Sequence, residues 1–403
     1  MRETMNTDEI LLMTPGPTEV SIRVLKAMMR PAIHHYDPNF MEVFDETTQL
    51  LKKIFQTKNN VVMLCGTGRT GMEASILSLV EPGDKVLNIV SGVFSEWFKN
   101  ICEIYEAQSV DLEFEWGKPI DLEKVKETLE KEEDIKILTV VHNETSTGAV
   151  NPIKELGKLA KKYGALFVVD AISSLGGIEI KVDEWNIDVC ISSSQKCLGG
   201  LYGISVLSIS DAAWEAMENR KIKPRSYAYD LLKWKSRWIP KEEGGLLVLG
   251  RRSYPLPPPT HLVYALNEAC KIILEEGLDK RFKRHRIIAY ATREGVKSIG
   301  LKIFPDEEIA SSTVTVINVP DGLSDADIVD RMLREHKIMI AKGLRKLNGK
   351  VIRIGHMANT ADQNHIIPTL AALEDVLYKF GIVSERGVAV ETALNIIEKQ
   401  LEN

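Results

Sequence analysis

Short apolar, β-branched runs alternate along this chain with stretches whose apolar positions recur every three to four residues. The first pattern predicts buried strands and the second amphipathic helices. Strands are predicted at Val61–Leu64, Lys85–Val90, Ile135–Val141, Ala165–Val169, Asp188–Ile191 and Gly203–Ser208. Between them helices are predicted at Asp45–Gln56, Met72–Val80 and Asp121–Glu132, one opened by Ser95 as N-cap, and one running to Tyr163 with Asn151 as cap and Pro152 in its first turn. Strand alternating with helix implies an α/β domain whose mainly parallel, buried sheet is covered by helices.

The pattern changes further on. Arg220–Arg252 is rich in Lys, Arg, Trp and Tyr and reads as irregular, a lid or a subunit contact. Tyr254–Thr260 is proline-rich and extended, followed by helices at His261–Glu276 and Asp279–Ser298. Strands at Thr313–Val319 and Val351–Ile354 then alternate with helices at Ser324–Glu335 and Ala361–Phe380, a smaller α+β unit. The expected division is a large domain over 12–265, a small C-terminal domain over 279–382, and a helical extension over 384–403.

With 403 residues, 44% of them hydrophobic and 27% charged, the chain has the composition of an ordinary globular protein. A net charge of −6 without a basic stripe argues against a nucleic-acid partner. The apolar runs are too short for a membrane span, and Met1–Glu9 lacks the features of a secretory signal. Five cysteines without paired spacing suggest neither a disulfide framework nor a zinc site, so a cytoplasmic location is expected.

Four polar constellations fall where predicted strands end. Lys196 follows Ser192-Ser193-Ser194-Gln195, beyond an apolar strand. Burial there would lower its pKa and free the amine to form a Schiff base with a carbonyl cofactor; a lysine capping a strand at the surface is the plain alternative. Gly66-Thr67-Gly68-Arg69-Thr70-Gly71 joins a strand to a helix, a geometry that aims backbone N–H groups at a phosphate, although glycine turns without ligands are common. Asp170 ends its strand, and His142-Asn143-Glu144-Thr145-Ser146-Thr147-Gly148 ends another. Ligands of such sheets bind along that edge. The coincidence of four is the argument.

Together with Pro15-Gly16-Pro17, Val169-Asp170-Ala171 and Arg353-Ile354-Gly355, these motifs occur in an order that resembles the class V aminotransferases of pyridoxal-phosphate fold type I. The nearest likeness is to alanine–glyoxylate and serine–pyruvate aminotransferases, over Leu12 to Phe380. The resemblance implies pyridoxal 5′-phosphate joined to Lys196, which would also carry the proton of the substrate's α-carbon. It implies that Asp170 pairs with the ring nitrogen. Thr67, Gly68 and Arg69 would hold the phosphate with help from Gln195, Phe94 would stack on the ring, Thr145 would approach its 3-oxygen, and Ile172 would complete the cofactor set. Arg353 would take the substrate carboxylate in a bidentate pair, and Gly16 would offer it a backbone N–H. A homodimer with shared sites is implied, Tyr254 reaching the neighbouring subunit's phosphate. A hydroxyl residue common three positions later is here Pro257, and Arg69 is unusual at its place.

Small amino acid and 2-oxo acid substrates follow from the same resemblance: alanine or serine as donor, glyoxylate or pyruvate as acceptor. Aspartate and aminoethylphosphonate are alternatives. A cysteine desulfurase needs a nucleophilic cysteine in the C-terminal part, whereas all five lie at or before Cys270. A dehydrogenase would need the full dinucleotide fingerprint, which is absent.

Overall fold

The structure, a computed structural model, describes residues 10–401. The signal-like region sought at Met1–Glu9 lies outside them. No described helix is long and apolar enough to cross a membrane.

Seven strands form the central sheet, in the spatial order Asn60–Cys65, Ile204–Ile209, Val189–Ser193, Leu166–Asp170, Ile135–Val141, Lys85–Val90, Gln108–Glu113. Ile204–Ile209 runs opposite to the other six strands. The central strands are buried on both faces, which explains why they read as unbroken apolar runs. Six strands therefore present their carboxyl ends along one edge.

Several local expectations need correcting. The helix after the glycine turn begins at Gly68, so Gly68 and Arg69 lie in its first turn. The helix expected from Asp45 starts at Pro38, where Asp37 accepts from the Asn39 N–H and the proline fits the first turn. Ser95 is not a cap. It is the third residue of the helix Val93–Ile104, and its Oγ reaches back to accept from the Ser91 and Gly92 N–H groups. Asn151 is not a cap either, since its helix starts at Ile153. Its amide donates instead to the Val141 carbonyl at 2.7 Å and to Ser91 Oγ at 3.0 Å, tying two strand ends together. The stretch 220–252 is more ordered than its composition suggests. It contains the helix Leu232–Arg237, and Trp234 and Trp238 are buried against Phe44.

Buried apolar side chains fall mainly into two cores. One runs from Phe40 to Ile273 around the seven-stranded sheet. The other joins Met13 to residues from Ile288 to Ile397, around the sheet of Val314–Asn318, Val351–Gly355 and Ala341–Lys342. The helix Val388–Leu401, whose role the sequence leaves open, buries Ala389, Ala393 and Ile397 in this second core. Buried Glu374 accepts from the Gly387 and Ala389 N–H groups at its start. Leu11–Leu12 pairs with Ile338–Met339, so the segment Thr14–Thr18 passes between the two cores. There Gly355 N–H donates to the Met13 carbonyl and Thr18 N–H to the Gln195 carbonyl.

Candidate active site

The sheet edge opens into a cavity of about 210 Å³ lined by Thr67, Gly68, Arg69, Phe94, Thr145, Asp170, Ile172, Gln195 and Lys196, nine of the twelve expected residues. Lys196 stands three residues beyond the strand Val189–Ser193, and Asp170 is the last residue of the parallel strand beside it.

Lys196 Nζ donates to the Pro15 carbonyl, so the segment between the cores touches the amine directly. Gly16 is obligatory there: its φ is +100°, and a Cβ would lie 2.2 Å from Lys196 Nζ. Burial is the main cause that lowers the amine to about 8, with the Arg353 charge adding to it. Asp170 is shifted the other way. Burial, with a smaller effect of the Glu144 charge, raises it to about 7 against the Ile172 N–H, which donates to Oδ1 at 2.7 Å. Gln195 is fixed by Ser193 Oγ at 2.5 Å.

Thr67 occupies the N-cap of the helix Gly68–Leu79 without a side-chain capping bond, which leaves first-turn N–H groups for a ligand. A Cβ on Gly68 would meet Ile172 at 2.3 Å, so the helix start can sit this close only as glycine. The Arg69 guanidinium does not turn toward this N-terminus; it lies 3.9 Å over the Trp97 ring, itself edge-on to Phe94.

Three expected residues do not line the cavity. Arg353 is buried behind it, with Nε donating to the Lys342 carbonyl at 2.9 Å and Nη1 to the Thr145 carbonyl at 3.3 Å. Gly16 borders Lys196, but its N–H is already given to the Thr14 carbonyl at 2.7 Å, contrary to the expectation that it is free for a carboxylate. Tyr254 stacks on Trp238 with ring centroids 3.8 Å apart and is not part of the cavity lining, and its buried hydroxyl has no hydrogen-bond partner among the described residues.

Sequence reasoning gave no individual role to other contributors. Trp97, one helical turn after Phe94, and Tyr202 line the cavity; the i, i+3 spacing from Phe94 was the available signal for the first. Asn143 also lines it. Its amide donates to Ser173 Oγ at 2.8 Å and Thr313 Oγ1 at 2.9 Å, while its buried Oδ1 has no partner among the described residues. Fully buried Glu144 accepts from the Phe94 and Ser95 N–H groups at 3.1 Å each, anchoring the helix that carries Phe94. Partners this distant in sequence leave no local pattern.

The sequence matches the model of the aminotransferase class-V family over residues 11–365. The chain belongs to the class V aminotransferases. An uncharacterized aminotransferase of Methanocaldococcus jannaschii is 41% identical over 94% of this chain and 96% of its own length. The (S)-ureidoglycine–glyoxylate transaminase of Bacillus subtilis is 35% identical over 96% of this chain and 95% of its own, and a crystal structure of the ureidoglycine–glyoxylate aminotransferase from that organism superposes with a TM-score of 0.91 over 98% and 100% of the two chains. The alanine–glyoxylate aminotransferase of Nostoc sp. superposes with a TM-score of 0.87 at 34% identity, over 94% and 97%. The architecture is that of pyridoxal-phosphate fold type I, and class V aminotransferases are pyridoxal-phosphate enzymes.

This aminotransferase's own residues fit that cofactor. The cavity combines a buried amine of lowered pKa, a buried carboxyl with no ion-pair partner among the described residues, and a helix N-terminus with free N–H groups. An aldehyde, a pyridine nitrogen and a phosphate are the matching functions.

Proposed function

We propose that this aminotransferase moves an amino group from a small amino acid, alanine or serine, to glyoxylate or pyruvate in two half-reactions at the one cavity. The observation that carries the site is the meeting of the Lys196 amine and the Asp170 carboxyl in one buried space, each shifted toward neutrality by burial. Glyoxylate as acceptor draws support from the relatives named for it.

In this reading Lys196 holds the cofactor's aldehyde carbon. The helix start at Thr67, Gly68 and Arg69 holds the phosphate, with Gln195 beside it. Asp170 pairs with the ring nitrogen, Phe94 and Ile172 flank the ring, and Thr145 faces its oxygen. The bound cofactor supplies an electron sink for the pair left when the α-proton departs. Lys196 Nζ takes that proton from the substrate's α-carbon, and its lowered pKa keeps a useful fraction of the amine neutral near pH 8. Arg353, lowered to about 10 by burial, stays cationic at neutral pH and binds the α-carboxylate. The half-buried rings of Phe94 and Trp97 form an aromatic wall of the cavity that limits the access of water to it.

The proposed enzyme is a cytoplasmic homodimer. Ile22, Leu25 and Met29 form an exposed apolar stripe at helical spacing, the kind of face that a second copy covers. In that dimer Tyr254 serves the partner's phosphate. The proposed division into 12–265, 279–382 and an extension over 384–403 draws support from the two cores, although Met13 packs in the second core and the first reaches Ile273. A specific observation favours a second donor class: Arg69 lines the cavity and makes no ion pair with the described residues, so aspartate is the alternative donor.

Half-reaction spectra with single amino donors test this reading. Alanine or serine should bleach the visible cofactor band, and glyoxylate or pyruvate should restore it. Bleaching by aspartate alone would overturn the proposed donor.

A further inference from the structure

Outside the cavity lining lies a charged network centred on a buried arginine that the catalytic reading does not use. Its centre is Arg281, in the first turn of the helix Leu278–Ser298 and only 2% exposed. Its guanidinium makes three bonds. Nε donates to the Gly176 carbonyl at 2.7 Å, Nη2 to the Cys197 carbonyl at 2.9 Å, and Nη1 to Glu276 at 2.8 Å.

The first two acceptors are telling. Gly176 belongs to the loop that follows Asp170, and Cys197 is the residue after Lys196. A single buried cation thus clamps together the backbones emerging from the two neighbouring strands that deliver the amine and the carboxyl. The approach is close: a Cβ on Gly176 would lie 3.2 Å from the Cys197 oxygen. A buried guanidinium needs nearly all its donors satisfied, and its carbonyl partners gain charge-assisted bonds in return.

Glu276 extends the network to a third element. It also accepts from Arg284, Nε at 2.6 Å and Nη2 at 2.9 Å, and Arg284 Nη1 donates to the carbonyls of Ala358 at 2.9 Å and Ala361 at 2.5 Å. That loop follows the strand Val351–Gly355, which carries Arg353. His285 closes the connection: Nδ1 bonds the Arg281 carbonyl at 2.8 Å, and Nε2 accepts the Ala358 N–H at 3.1 Å. The turn after Lys196 packs on the same loop, where a Cβ on Gly199 would lie 3.2 Å from the Ala358 Cβ.

We propose that Arg281 is a positioning residue for transamination: through the Gly176 and Cys197 carbonyls it fixes Lys196 relative to Asp170, and through Glu276 and Arg284 it ties both to the loop behind Arg353. This rests on the roles proposed for those three residues. Arg281 touches neither cavity nor substrate. It acts by denying the lysine turn the freedom to move toward solvent.

Arg281→Met and Arg281→Lys test this against the wild type with two readouts. The first uses cofactor-free protein: the pH midpoint for acetylation of Lys196 by trace acetic anhydride, read by peptide mass. The second is steady-state kinetics of the holoenzyme. In Arg281→Met the loosened amine gains water, and its midpoint should rise by about one pH unit. The kcat should fall about tenfold or more while KM for the donor stays within about threefold. Arg281→Lys keeps a charge without the planar fork and should recover only part of both effects; it also serves alone should the methionine variant fail to fold. A lower melting temperature with an unchanged acetylation midpoint and kcat would overturn the proposal. Absence of cofactor on Lys196 in the wild type would instead defeat the proposed catalytic role, while the acetylation midpoints would still report on the clamp.

Discussion

Lys196 and Asp170 approach each other's titration range inside one cavity: burial lowers the amine to about 8 and raises the carboxyl to about 7. Neither group has the opposite charge close enough to offset its lost hydration, and each works against stability in the absence of a ligand. An aldehyde for the amine and a protonated ring nitrogen for the carboxyl would relieve both.

The pH dependence of the cofactor-free protein follows from the sign of these shifts. Asp170 has an ordinary value of 3.8 and a folded value of about 7. Below about pH 4 it is protonated folded and unfolded, and the shift has no effect. Between about 4 and 7 the unfolded chain loses a proton that the folded chain keeps, so stability falls as pH rises. Asp170→Asn keeps the acceptor for the Ile172 N–H and lacks this loss. In urea unfolding it should match the wild type near pH 4 and exceed it at pH 8 by on the order of a few kcal/mol. A difference independent of pH would contradict the assignment.

Arg353 is held by two backbone carbonyls, those of Lys342 and Thr145, one from each side of the cleft between the cores. Arg353→Lys keeps the charge but loses the fork. It should lower kcat/KM for every amino donor by about 100-fold, roughly 3 kcal/mol, mostly through KM. Equal loss in a decarboxylated amine substrate would show that the arginine does not read the carboxylate.

Gly16 presses on the lysine rather than reaching for substrate. In Gly16→Ala the new Cβ would fall 2.2 Å from Lys196 Nζ and 2.4 Å from its Cδ, at a φ that costs a side chain roughly 1–2 kcal/mol. The lysine must swing away. Circular dichroism should stay that of the wild type while the visible cofactor band is lost; a retained band would place the lysine elsewhere.

The central sheet was legible because its strands are buried on both faces and leave unbroken apolar runs such as Ile135–Val141. The polar ends of those runs marked the cavity, since small hydroxyls, glycines and a lone lysine have no place in a core. What stayed hidden depends on contacts across the fold. Glu144 looked like one polar residue among seven, and only the packed chain shows it anchoring the helix of Phe94. Ser95 and Asn151 have the chemistry of caps yet spend it on Gly92 and Val141, a choice set by neighbouring strand ends. Arg281 reads as one more charge in a basic helix, and its burial is a property of the junction between the cores.

Borohydride reduction of the purified protein, followed by peptide mass mapping, tests the central claim most directly. The account predicts a pyridoxyl phosphate adduct on the peptide carrying Lys196, absent from Lys196→Ala. An adduct on another lysine, or none on a protein that still transaminates, would contradict it.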